Sequence, residues 1–256
     1  MTCDTGRRSD KPNILFIMDD QHRFDYINCA GASFINTPNL DRLSTMGTRF
    51  EHCITNAPVC VPARIGLASG VQPWRLGSTG NASFLPRRAT TYYQRLRDSG
   101  YRVGCVGKLD LAKPDPYNGR FGDRPVTYMF GFTHPEECEG KMHAGQSPAP
   151  IGPYTHYLQD KGLLQEFHED YRARKAGGIR HASHDSVLET EDFEDTYIGR
   201  RSAAWIANIP DDYPWHLLVS FVGPHNPYDP PTEYADRYRD ASMPAAVPRC
   251  PDNKPK

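Results

Sequence analysis

Three short strand-like runs most constrain what this chain can fold into. Asn13 to Met18 reads NILFIM, Tyr101 to Val106 reads YRVGCV, and Trp215 to Phe221 reads WHLLVSF. Runs this short suit strands buried on both faces of a mostly parallel sheet. Helical patterns fall between them. Thr37-Pro38-Asn39 opens one that continues through Leu40, Leu43 and Met46 and closes at Gly47, with a capping residue, an early proline and a terminal glycine in the expected places. Tyr92 to Asp98 predicts a second, closed by Gly100. From a Thr190 cap, Phe193, Tyr197, Ile198, Trp205 and Ile209 predict a third. Strand, helix and strand in alternation imply an α/β fold, a mostly parallel central sheet flanked by helices. Ala112 to Thr190 is rich in Pro, Gly and His and lacks periodicity, so long loops with short helices are expected there.

In such sheets ligands gather beyond the carboxyl ends of the strands. Asp19-Asp20, Lys108 with Asp110, and His225 each follow a predicted strand directly. Adjacent carboxylates suit a hard cation, and they also serve as a polar strand terminus or helix cap. In Cys60-Val61-Pro62-Ala63-Arg64, the proline favours a first helical turn. That sets Cys60 near a helix N-terminus, where N–H groups favour an anion, with Arg64 one turn on and able to reach back. Taken singly, these residues have plainer readings: a buried cysteine with a surface arginine, a turn lysine, and a loop histidine between prolines.

Composition removes several alternatives. The 256 residues carry 30 Lys+Arg against 31 Asp+Glu, without a basic stripe, so no nucleic-acid partner is expected. No apolar run approaches the roughly 20 residues of a membrane span. No apolar stretch precedes Asn13, so no signal peptide is read and a cytoplasmic location is expected. Seven cysteines without a C-x-x-C argue against a disulfide framework or a zinc ribbon. The sequon Asn81-Ala82-Ser83 is read as chance.

Taken together and in order, the motifs resemble the type I, formylglycine-dependent sulfatases of the alkaline-phosphatase-like superfamily. C-x-P-x-R stands at Cys60 to Arg64, followed by the small-residue stretch Ile65 to Gly70. Pro12 to Asp20 looks like the opening strand and metal pair, and Thr37 to Leu43 like the next helix. Gly47-Thr48-Arg49-Phe50 fits the turn after it, Gly107-Lys108-Leu109 the G-K-x segment, and Pro224-His225-Asn226-Pro227-Tyr228 the P-H-x-P-aromatic loop.

The resemblance implies a sulfuric ester hydrolase. Cys60 would be oxidised to formylglycine by a maturing enzyme and hydrate to a geminal diol. One diol oxygen attacks the sulfur of a small-molecule or carbohydrate sulfate ester; the second then loses its proton, the carbonyl re-forms and sulfate leaves. Asp19 and Asp20, with residue 60, would hold a divalent cation: calcium, with magnesium or manganese as alternatives. Arg64 would orient the diol, Lys108 would contact sulfate oxygens, and His225 would contact sulfate or assist the leaving group.

Two departures stand out. Many relatives place histidine two residues after the G-K lysine, where this chain has Asp110, which would bind a substrate hydroxyl or cation instead. Relatives also complete the metal site beyond the P-H-x-P loop, and Asp252-Asn253 lacks the preceding strand such ligands need. Residues 1–256 are therefore expected to be the N-terminal part of a catalytic domain, with a disordered leader at 1–11, a loop-rich insertion at 112–190 and the C-terminal remainder missing. Alternative readings are a phosphonate or phosphodiester hydrolase of the same superfamily, or a truncated, inactive sulfatase fragment.

Overall fold

The strand-like runs become one parallel sheet. In the computed structural model, which describes residues 10–178 and 183–245, β1 is Ile14–Met18, β2 Arg102–Lys108, β3 His134–Cys138 and β4 Trp215–Ser220. Their order is β1-β4-β2-β3, with all three pairings parallel. Register brings the carboxyl ends level: Met18 lies opposite Ser220, and Ser220 opposite Gly107. Residues following β1, β2 and β4 therefore emerge along one edge of the sheet.

The helices are α1 (Pro38–Met46), α2 (Cys60–Ser69), α3 (Tyr92–Asp98), α4 (Pro125–Met129), α5 (Lys141–Gln146), α6 (Pro153–Asp160), α7 (Leu164–Ala176), α8 (Glu194–Asn208) and α9 (Thr232–Asp236). The chain divides into two units, residues 1–22 with 54–232 and residues 23–53 with 233–256. In the larger unit, apolar side chains pack on both faces of the sheet. Val61, Ile65 and Ala68 of α2 and Tyr93 of α3 meet Val103, Cys105 and Leu218 in one core cluster. Val106, Leu217 and Val219 belong to a second cluster with Leu158 of α6, Phe167 and Tyr171 of α7, and Ile198 of α8. Each fully buried Ile or Leu here is worth about 1.5–3 kcal/mol over its exposed state. At the sheet edge, β1 alternates instead, leaving Leu15 and Ile17 46% and 57% exposed.

The smaller unit holds α1. Its Thr37 does not cap the helix through its side chain. That hydroxyl accepts from the Asn28 N–H and donates to Asp41, which also receives the Cys29 N–H.

Gly107 shows why the strand before Lys108 requires glycine. Its φ is +102°, and a Cβ there would stand 2.1 Å from the Ser220 carbonyl oxygen.

The region expected to be mostly loops is more regular than its composition predicts, since it contains the edge strand β3 and helices α4 to α7. The sequence HPEEC of β3 has no apolar run to announce it. Phe167, Tyr171 and Arg174 are the buried face of α7, a stripe too thin to stand out among charges. Of the expected leader, residues 1–9 lie outside the described residues, and Lys11 donates to the Ser99 carbonyl at 2.6 Å. Asp252 and Asn253 also lie outside the described residues.

Candidate active site

Asp20 is the hub of the site. It is buried at the end of β1, and its N–H donates to Gly223 O just past β4. Arg64 donates to its Oδ2 at 3.0 Å and Lys108 to the same oxygen at 2.6 Å. The Cys60 thiol lies 3.7 Å from Oδ1. Burial alone would raise the Asp20 pKa, but Lys108 and Arg64 more than offset this and hold it below the ordinary carboxylate value.

Cys60 is the first residue of α2, following Val59 in extended conformation, and Pro62 falls in the first turn as the sequence requires. Arg64 projects from the next turn and is buried. Besides Asp20 it donates to Lys108 O at 2.6 Å and Ser220 Oγ at 2.8 Å, tying together the ends of β1, β2 and β4.

Lys108 ends β2. Burial would lower its pKa, yet Asp110 and Asp20 together raise it, so the ammonium stays charged. Asp110 follows in left-handed conformation at φ +57°. Its Oδ2 lies 3.3 Å from Lys108 Nζ and 2.9 Å from Lys113 Nζ. Burial opposes ionisation of Asp110, but Lys108, Lys113 and Arg64 hold its carboxyl far below the usual range.

His225 sits in the loop after β4. Its Nδ1 lies 2.6 Å from the Asn226 carbonyl, which can only accept, so Nδ1 carries the proton and Nε2 the lone pair. Burial, aided by Lys108, lowers its pKa against the pull of that carbonyl and of Asp20. Oxygen, sulfur and nitrogen atoms of Asp20, Cys60 and His225 lie within 4.8 Å of one another. Asp19 stands outside this group: its carboxylate is about half exposed and pairs with His22 Nδ1.

Sequence reasoning missed what holds the His225 loop. Asp195, on α8, accepts the Val222 and Gly223 N–H groups at 2.8 and 3.1 Å. Buried Lys141 donates to Pro227 O at 3.0 Å and pairs with Asp229. Lys113 was missed too. None of these carries a local signal, because each acts through neighbours that no motif announces.

The sulfatase family model matches residues 12–249. The chain is a member of the sulfatase family. It is 28% identical over 233 residues to a choline-sulfatase of Rhizobium meliloti, covering 90% of this chain and 41% of that protein. It is 28% identical over 247 residues to an arylsulfatase of Clostridium perfringens, covering 91% and 47%. This sulfatase-family chain thus spans less than half the length of these relatives. Its fold is shared with the phosphonate monoester hydrolase of Agrobacterium radiobacter, with a TM-score of 0.65 and 24% identity over 88% of this chain and 44% of that one. Sulfatases generally use a metal ion and a formylglycine. Among the described residues, no helix is long and apolar enough to cross a membrane.

Proposed function

We propose that this chain carries the nucleophile-bearing part of a sulfate monoester hydrolase, with residue 60 working as formylglycine. One observation supports this reading above the rest: Asp20, the Cys60 and Arg64 of one helical turn, and Lys108, three places far apart in sequence, meet at the carboxyl ends of β1 and β2 and the start of α2. The thiol sulfur stands in for the oxygen that the hydrated aldehyde would present.

As formylglycine hydrate, residue 60 would attack sulfur through one hydroxyl as the bond from sulfur to the alcohol oxygen breaks, and the proton that hydroxyl gives up would leave on the alcohol. Lys108 and Arg64 offset negative charge at the sulfate oxygens. Nε2 of His225, with its lone pair available, accepts the proton of the second hydroxyl as the carbonyl re-forms and sulfate leaves. A divalent cation, held by Asp20 and the oxygen on residue 60, would polarise the sulfate ester, and Asp19 would join it by turning from His22. Calcium takes about 6–8 oxygens, more than these residues offer, so waters, sulfate oxygens or further protein oxygens would complete its shell.

The test is mass spectrometry of the Cys60 peptide from the whole chain, joined to sulfate release from an aryl sulfate. Conversion of thiol to aldehyde exchanges the sulfur and two hydrogens for one oxygen, a loss of mass that identifies the peptide. Full sulfate release by Cys60→Ala would overturn the reading. Faster turnover of a phosphonate monoester than of the aryl sulfate would favour the second reading, to which the shared fold with a phosphonate monoester hydrolase lends support.

A further inference from the structure

A series of alternating charges leads outward from the nucleophile. The Cys60 thiol lies against Asp20, Asp20 binds Lys108, Lys108 binds Asp110, and Asp110 binds Lys113. The side chains of Asp20, Lys108 and Asp110 are 7%, 4% and 7% exposed, whereas that of Lys113 is 19% exposed. The two ends of the series, Cys60 and Lys113, are thus half-buried, and the three charged groups between them are buried.

Charge within the cluster does not cancel. Arg64, Lys108 and Lys113 face two carboxylates, Asp20 and Asp110, which leaves one positive charge over. Asp110 is already matched by Lys108, so neutralising Asp110 does not require Lys113. An ammonium has three donors, and among the described residues Asp110 is the one hydrogen-bond partner of Lys113. Two donors are left uncommitted. Both ammonium groups bind the same Asp110 oxygen, so they stand no farther apart than those two ion-pair lengths laid end to end. That spacing suits two anionic groups on one small molecule. Burial is the main cause that lowers the pKa of His225 and of His143, and the field of Lys113 adds to it at both imidazoles.

The geometry points to Lys113 as a specificity-determining residue that binds a second anionic group, a carboxylate or another sulfate, on the organic half of the substrate. Asp110 holds the Lys113 ammonium in place beside Lys108. This inference rests on the sulfate-ester reading of the site.

Two non-hydrolysable probes test it: ethanesulfonate, with one anionic group, and ethane-1,2-disulfonate, with two. Binding of each is measured by calorimetry on the whole chain and on its Lys113→Gln and Lys108→Gln variants. The expected preference of the wild type for the disulfonate is about tenfold or more, the effect of one added charge-assisted hydrogen bond. Lys113→Gln should abolish that preference while leaving ethanesulfonate binding within about twofold, and Lys108→Gln should weaken both probes. A wild-type preference under about threefold overturns the inference without recourse to any variant, and so does a preference that survives in Lys113→Gln. If ethanesulfonate binds through Lys108 in either case, the sulfate-ester reading stands. Binding of neither probe by the wild type overturns both.

Discussion

Arg64 offers the sharpest test of how the site is held together. Its guanidinium is buried and donates to the Asp20 carboxylate, the Lys108 carbonyl and the Ser220 hydroxyl. Replacing it with glutamine leaves Asp20 with Lys108 alone and strips two acceptors of their donor. Removing one partner of a buried ion pair costs about 3–5 kcal/mol, chiefly because the remaining charge is left uncompensated. Asp20→Asn should also destabilise, since Arg64 and Lys108 then face each other without the anion between them. In the double variant neither penalty applies in full. The two single effects should therefore exceed the double effect by about 1.5 kcal/mol or more. The assay is urea unfolding in chelator, followed by tryptophan fluorescence, which reports this core because Trp205 and Trp215 stand 5.8 Å apart beside the sheet. Additivity within about 0.5 kcal/mol would refute direct coupling. An Arg64→Gln cost below about 1 kcal/mol would refute the buried fork itself.

Two further outcomes follow from the same region. Asp110 has a folded-state pKa held well below its ordinary value, so its ionised form contributes stability that is present above that ordinary value and lost as pH falls through the folded one. The stability advantage of wild type over Asp110→Asn should stay constant from about pH 6 to 9 and shrink progressively below about pH 4; an advantage unchanged to about pH 2.5 would contradict the ion-pair account. Gly107→Ala would meet the Ser220 carbonyl and force φ +102° on a residue with a Cβ. It should cost about 3 kcal/mol or more, and a urea midpoint near that of the wild type would contradict the close approach.

The parts of the fold legible in the sequence are those written in local pattern. NILFIM, Tyr92 to Asp98 and WHLLVSF became β1, α3 and β4 within a residue or two, because strand burial and helix punctuation leave marks in neighbouring residues. Capping at α3 is local in the same way: Thr91 Oγ1 accepts the Gln94 N–H, and the Gln94 side chain accepts the Thr91 N–H. β3 left no such mark, since HPEEC holds no apolar run, and its buried Glu137 is accommodated by pairing with Arg124, which no local pattern announces. In the candidate site, Cys60, Arg64, Lys108 and His225 were picked out by motif. Lys113, Ser220 and Asp195 were not, because their importance comes from what lies beside them in space. Asp19 and Asp20 look alike in sequence. Only folding separates them, turning Asp20 inward to Arg64 and Lys108 and Asp19 out to His22.

The strand order has a consequence in time. β4 lies between β1 and β2, yet it is the last of the four to leave the ribosome. Until residues 215–220 emerge, β1 and β2 have no shared neighbour and the two sides of the site have nothing to close against. About 155 residues separate Cys60 from β4, and at roughly 5–20 residues per second their synthesis takes on the order of ten seconds or more. Throughout that interval α2, which opens with the CVPAR segment, lacks the Leu218 side of the sheet face it packs against.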